Sequence, residues 1–239
     1  MELVNRMKLF IGKKSINLIT REEDFLRIIS WGCKEKIITY VNQNTVNLFH
    51  ENGEYLKTIS NEFLCVLDGA GLWLSALFKN VRCERISFTD ALIKFFEVLI
   101  EKRMRLYFVG GSYNIETLQK KIYPINITGY ANGYFKRYDW RLELEELNRA
   151  DVIMLGMGQP RQEYIALEIK SLIKNKIIIC CGAFMDYYTG TVRRAPLIMQ
   201  KYGLEWLYRI YDNPRLYGKR YLVGIPKFLL KMKDLNYVK

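Results

Sequence analysis

Histidine is almost missing from this chain: there is one, His50, in 239 residues. The five cysteines (Cys33, Cys65, Cys83, Cys180 and Cys181) form no CxxC pair. A zinc site of the Cys/His type is therefore excluded as a sequence reading. Ser–His–Asp or Cys–His chemistry would have only His50, in the polar run NLFHENGE, with no nucleophile motif beside it. An odd set of unpaired cysteines reads as reduced, mostly buried thiols of a cytosolic protein. Long apolar runs are also missing. The longest, Ile177 to Met185, is broken by Gly182 and falls well short of the roughly 18 residues a spanning helix needs. MELVNRMKLFIGKKS has no apolar signal core, so the chain reads as unexported and soluble. No two aspartates stand two positions apart, so there is no DxD pair to hold a metal–diphosphate complex. Glu143-Leu-Glu145 has the spacing but belongs to a charged, solvated helix.

Two nucleotide fingerprints are absent as well. VGGS (109–112) and LGMGQPRQE (155–163) are glycine turns that lead into helices, yet Arg161 occupies the third-glycine position of GxGxxG, and no GxxxxGK[ST] loop occurs. A dinucleotide-dependent oxidoreductase and a P-loop ATPase both lose support.

What the chain does have is apolar mass and positive charge. It is 50% hydrophobic and 26% charged, which excludes disorder as the main state and suffices for a sizeable core. Lys and Arg number 37 against 25 acids, for a net charge of +12. Residues 191–239 hold eleven of the cations, three acids and eight aromatics, among them Trp206, Tyr208, Tyr211 and Tyr217. Such a tail points to an anionic partner: nucleic acid, a phosphorylated ligand or an anionic membrane surface. The alternative is a solvated charged face over aromatic packing. A basic nucleic-acid-binding α/β protein is one reading, although no RRM, KH or helix-turn-helix signature appears. KFLLKMK (227–233) is a short basic amphipathic segment, suited to lying on a bilayer.

The order of segments predicts an α/β fold. MKLFIG and SINLIT read as a hairpin, and Thr20-Arg-Glu-Glu23 as a capping box before a helix. Strands are expected at 36–42, 63–68, 105–111, 125–130, 151–158 and 176–184. Helices are expected around 44–52, 70–79, 90–103, 113–122, 139–149 and 160–174. Continuous apolar strands alternating with helices imply a Rossmann-like parallel sheet with helices on both faces. Residues 1–190 read as that core and 191–239 as a basic helical appendage.

In such a sheet, ligands bind beyond the carboxyl ends of the strands. Five strand ends carry suitable residues: Asn42; Asp68-Gly69; Gly110-Gly111-Ser112; Gly156-Met-Gly158-Gln159-Pro160; and Gly182 with Asp186. Each alone is ordinary turn chemistry; together they make a site by geometry. Asp68 is a general base if its pocket raises its pKa, or else a helix cap. Arg85 before a helix and Gln162-Glu163 opening another are either site groups or surface residues. Leu204, Leu207 and Ile210 share a helix face, which leaves Arg209, Arg215 and Arg220 free to point elsewhere.

The ordered motifs DGAG, ERISFTDA, FVGGS, YP, GYANGYF, LGMGQPRQEYI, GAFMDYYTGTVRRAP and GLEWLYRIYDNPRLYGKRYL resemble the WecG/TagA/CpsF family of glycosyltransferases. The resemblance runs from about Asn42 to Leu222. It implies a metal-independent, inverting transfer, without cofactor, of an N-acetylhexosamine-type sugar, such as ManNAc or ManNAcA. The donor would be a UDP-sugar and the acceptor an undecaprenyl-diphosphate-linked sugar. The setting would be the cytoplasmic face of the membrane, in teichoic acid or cell-surface polysaccharide synthesis. It places the base on Asp68 and substrate contacts on Asn42, Arg85, Gly110, Gly111, Gly133, Tyr134, Gln162, Glu163, Asp186, Arg209, Arg215 and Arg220. The last three would reach the diphosphate as the appendage folds over. Nucleic acid is then not a partner, and the apolar helices are compatible with a homo-oligomer. Two residues depart from the family pattern: Tyr40 replaces a threonine, with Thr39 one residue earlier, and Phe88 replaces a glycine.

Overall fold

The computed structural model describes residues 6–30 and 37–238. Strands β1 (Arg6–Ile11) and β2 (Lys14–Ile19) form the expected hairpin, turning at Gly12, whose φ is +61°. There follow α1 (Glu22–Ser30), β3 (Ile37–Val41), α2 (Gln43–Glu51), α3 (Gly53–Glu62), β4 (Phe63–Leu67), α4 (Gly69–Phe78), α5 (Phe88–Glu101) and β5 (Arg105–Gly110). The chain continues through α6 (Ile115–Ile122), β6 (Asn126–Ala131), α7 (Leu144–Arg149), β7 (Val152–Gly156), α8 (Arg161–Leu172), β8 (Ile177–Cys180) and α9 (Phe184–Tyr188). The tail adds α10 (Leu197–Lys201), α11 (Glu205–Asp212), α12 (Pro214–Leu222), α13 (Gly224–Lys231) and β9 (Leu235–Val238).

All nine strands join one sheet in the order β6-β5-β7-β8-β3-β4-β2-β1-β9. The seven from β6 to β2 are mutually parallel, and β1 runs against both its neighbours. Alternation of side chains divides the core in two. In β4, Cys65 and Leu67 face a layer formed with Val46, Phe49, Tyr55, Ile59, Ala166 and Phe228. Leu64 and Val66 face the other, with Phe25, Phe95, Phe96, Leu118 and Phe184. Helices therefore cover both faces, which is why the strands are apolar throughout. Each large apolar side chain buried there stabilises by about 1.5–3 kcal/mol.

Three details differ from the sequence reading. Helix α3 was hidden by the turn-like run Asn52-Gly53-Glu54, where Asn52 caps the helix by accepting from Tyr55 N at 3.0 Å. Glu23 does not close a capping box with Thr20, because its carboxylate pairs with Arg21 and Arg27. The tail, expected to be wholly helical, ends as β9, antiparallel to β1, with Leu235 fully buried. Residues 191–238 are thus fastened to the sheet at their far end rather than hung from it. Cys65, Cys180 and Cys181 are buried and Cys83 is partly so, none of them in a disulfide; Cys33 lies outside the described residues. No described helix is long and apolar enough to cross a membrane.

Candidate active site

At the carboxyl rim of the sheet, all five strand ends singled out in the sequence contribute to one cavity of about 420 Å³. Its wall includes Asn42, Asp68, Gly111, Gly133, Tyr134, Gly156, Gly182 and Asp186. The approach of these strand ends depends on missing side chains. A Cβ on Gly110 would lie 2.6 Å from the Gly156 carbonyl oxygen, and one on Gly133 2.8 Å from the Gly110 Cα. Gly110 is therefore a spacer behind the wall. Gly182 has a φ of +58°, and a Cβ there would meet the Tyr40 hydroxyl at 2.8 Å.

Asp68 follows β4 and precedes α4, but its carboxylate makes no cap to α4. It turns across the cavity instead. Oδ1 accepts from the backbone N–H of Phe88 at 3.0 Å, and Oδ2 accepts from Asn42 Nδ2 at 3.3 Å. Burial pushes its pKa above the ordinary aspartate value; the two hydrogen bonds and the charge of Arg209 pull the other way. The result is a carboxylate fixed in place and made more basic than a solvated one. Asn42 is fixed in turn by a capping box on α2. Its Oδ1 accepts from Asn44 N and Thr45 N at 3.0 and 3.2 Å, and Thr45 Oγ1 accepts from Asn42 N at 3.1 Å. Its Nδ2 is thereby left free to face Asp68.

Gln162 and Glu163 do not form the wall. Both are fully buried beneath it, at 0% exposure. Gln162 Oε1 accepts from Gly182 N at 3.1 Å, and Gln162 Nε2 donates to Glu163 Oε1 at 2.9 Å. Thr39 Oγ1 donates to the same Glu163 oxygen at 2.7 Å. Desolvation lifts the Glu163 pKa. From beneath the wall, these residues position the Gly182 turn. The same strand alternation explains the threonine shift. Thr39 is buried beneath the site against Glu163, so it does not take the place that Tyr40 holds on the cavity wall. Tyr40 and Phe88, the two departures from the family pattern, meet there with ring centroids 5.5 Å apart.

The tail supplies the cations. Arg209 and Arg220 line the cavity, with Tyr217 between them in sequence and Tyr187 beneath. Arg209 lies over the Tyr187 ring at 5.4 Å, donates to the Tyr221 hydroxyl at 3.3 Å and pairs with Glu205 at 3.9 Å. Arg220 pairs with no carboxylate among the described residues, and its buried Nε has no hydrogen-bond partner there. Arg215 is exposed and lines neither this cavity nor its neighbour. Asp186 accepts from the Tyr113 hydroxyl. Arg161, noted only for breaking a glycine pattern, also reaches the wall but is held by the Phe135 carbonyl and ring. His50 sits on an exposed part of α2 and lines neither this cavity nor its neighbour.

The neighbour is a second cavity of about 700 Å³ between α4 and the tail. It shares Asn42, Asp68, Thr89 and Arg209 with the first. Arg85 lines this second cavity, where its Nη2 donates to the carbonyls of Gln200 and Lys201 at 3.4 and 2.6 Å. Among the described residues no group of three or more His, Cys, Asp or Glu is placed to hold a metal ion.

Residues 10–236 match the model of the glycosyl transferase WecG/TagA/CpsF family. The chain is 29% identical over 202 residues to an N-acetylglucosaminyldiphosphoundecaprenol N-acetyl-beta-D-mannosaminyltransferase of Bacillus subtilis, covering 81% of this chain and 77% of that one. A protein of the same name from Bacillus spizizenii is 27% identical over 75% of this chain and 71% of its own. A UDP-Gal:alpha-D-GlcNAc-diphosphoundecaprenol beta-1,4-galactosyltransferase of Shigella boydii is 28% identical over 93% of this chain and 96% of its own. With the motifs, the sheet and nearly the full length in agreement, the chain belongs to the WecG/TagA/CpsF family of glycosyl transferases.

Proposed function

We propose that this protein is a hexosyltransferase that moves a sugar from a UDP-linked donor to a sugar carried on a polyprenyl diphosphate. The observation that carries the reading is the position of Asp68, whose carboxylate stands where two cavities meet. Its relatives bear names of enzymes acting on diphosphoundecaprenol-linked GlcNAc. The mannosaminyl and galactosyl relatives support a hexose or N-acetylhexosamine donor such as ManNAc.

The chemistry follows from the groups present. The acceptor hydroxyl gives its proton to Asp68 as its oxygen bonds to the anomeric carbon. The bond from that carbon to the β-phosphate oxygen breaks, and UDP leaves with the electron pair. Attack from the face opposite the nucleotide inverts the anomeric centre. A positioned base typically contributes about 10²–10⁴-fold. Charge gathers on the departing diphosphate, and Arg209 with the unpaired Arg220 lies on the same cavity wall to receive it. In this reading the guanidinium groups do the work that a divalent cation does elsewhere. Asn42, Asp186 and Tyr40 hold sugar or diphosphate oxygens, and Gly111, Gly133 and Tyr134 border the nucleotide.

The exposed apolar groups of the tail, including Leu197, Ile198, Leu207, Leu222 and Leu230, stand among Lys201, Lys219, Lys227 and Lys231. That pattern fits peripheral binding to an anionic bilayer, at about 1 kcal/mol per cation near the surface. The test is direct incubation with GlcNAc-diphosphoundecaprenol and a set of UDP-hexoses and UDP-N-acetylhexosamines. A disaccharide-lipid product with inverted linkage is expected from at least one donor; no product from any would overturn the reading.

A further inference from the structure

The geometry points to the second cavity as the acceptor's berth, with the polyprenyl chain lying against α4 and α13 and the acceptor diphosphate against Arg85 and Lys201. This assignment rests on the function proposed above and divides the two substrates between the two cavities. The larger cavity, about 700 Å³, falls within the range of small-ligand sites, and its lining changes character along its length. At its inner end are Asn42, Asp68, Thr89 and Arg209, the residues it shares with the sheet-end cavity. Along the outer part run Leu74, Phe78, Leu229 and Met232. Phe78 is 72% exposed and Leu229 56% exposed, so two large apolar side chains of the lining are open to solvent. Exposed apolar surface bordering a polar site marks a place for an apolar partner.

The cations favour this occupant over a peptide or a second copy of the chain. Arg85 spends one nitrogen on the Gln200 and Lys201 carbonyls; its Nε and Nη1 bond to nothing among the described residues. Lys201 also lines the cavity and makes no ion pair there. A hydroxyl beside Asp68, negative charge beside Arg85 and Lys201, and hydrocarbon beside Phe78 and Leu229 would match this lining. A polyprenyl-diphosphate sugar has that order of groups. The continuity of the two cavities at Asp68 brings its hydroxyl to the same carboxylate that faces the donor.

The experiment compares two acceptors with one donor: GlcNAc-diphosphoundecaprenol in detergent micelles, and a water-soluble GlcNAc-diphosphate methyl ester. Phe78→Ser and Leu229→Ser change exposed side chains, and circular dichroism and thermal unfolding verify that they fold. Each should raise KM for the long-chain acceptor about tenfold and leave KM for the methyl ester unchanged. Leu142→Ser removes an exposed leucine, at 80%, that lies outside the tail and lines neither cavity, and should change neither value. Arg85→Ala should raise KM for both acceptors and leave the affinity for UDP as it was. Equal effects of Leu142→Ser and Phe78→Ser would reduce the apolar channel to a nonspecific surface contribution and overturn the assignment. So would lining variants that do not distinguish chain length, or a parallel loss of UDP affinity in Arg85→Ala. Failure of the unaltered protein to transfer to either acceptor would instead defeat the proposed function itself.

Discussion

Asp68 and Arg209 face the same cavity but are held there by different means. Asp68 ends a fully buried strand, and its partners are a backbone N–H and an asparagine locked in a capping box. Arg209 rides on α11, which buries no residue, as does α10 before it. That part of the tail is fastened by polar contacts. Arg194 bonds to Asp90 and Ser87 at the start of α5 and to Glu205 on α11. Asn47 donates to the Gly224 carbonyl at 2.8 Å. Farther on, Phe228 and β9 return it to the core. Thus the proposed proton acceptor is built into the sheet, and the proposed counter-charge is carried on a strap anchored at both ends. A strap of this kind can lift to admit a lipid-linked substrate without disturbing the base.

The largest expected effect lies on the rigid side. Asp68→Asn keeps an acceptor for the Phe88 N–H and should lower kcat by about 10²–10⁴-fold, with UDP binding by calorimetry nearly intact. Equal loss of both would make Asp68 a structural cap. On the strap, Arg209→Ala should lower kcat by about 10²–10³-fold with the thermal midpoint little changed. An effect confined to KM would mean that Arg209 binds ground state and transition state alike.

Smaller effects probe the links between the two sides. Asn42→Ala removes a hydrogen bond that lowers the pKa of Asp68 and should raise that pKa further. A base works only when ionised, so activity is lost as pH falls through its pKa. The acid limb of the kcat/KM profile should therefore shift to higher pH in this variant; an unmoved limb would show that another group controls it. Arg194→Ala leaves Asp90 unpaired and Glu205 with Arg209 alone, but the Asp90 side chain is 44% exposed, so the expected cost is about 1 kcal/mol. In a chain of this length that lowers the midpoint by roughly 2–4 °C. No shift would mean the strap is held by Phe228 and β9 alone.

The same division explains what was legible beforehand. The sheet could be read because parallel strands buried on both faces must be apolar throughout, as FLCVL and IIIC are. Their ends converge by topology, so Asn42, Asp68, Gly111 and Asp186 could be grouped from segment order. What could not be read depended on long-range placement. Gln162 and Glu163 look like solvent-facing residues at a helix start, and only the packing of α8 against β7 and β8 buries them. Tyr40 and Phe88 are 48 positions apart in the chain, and no local pattern shows that their rings touch. The strand β9 is four residues long, and nothing short of the vacant edge of β1 makes it a strand.

The central claim is that arginine side chains from the tail neutralise the departing diphosphate while a single sheet-end carboxylate activates the acceptor. The most direct measurement is the rate of sugar transfer to GlcNAc-diphosphoundecaprenol by chelator-treated protein, with and without added magnesium or manganese, alongside Arg209→Ala. The expected result is a rate unchanged by chelator in the unaltered protein and a deficit in the variant that neither metal restores. Loss of transfer on chelation, recovered by adding the metal, would contradict the account.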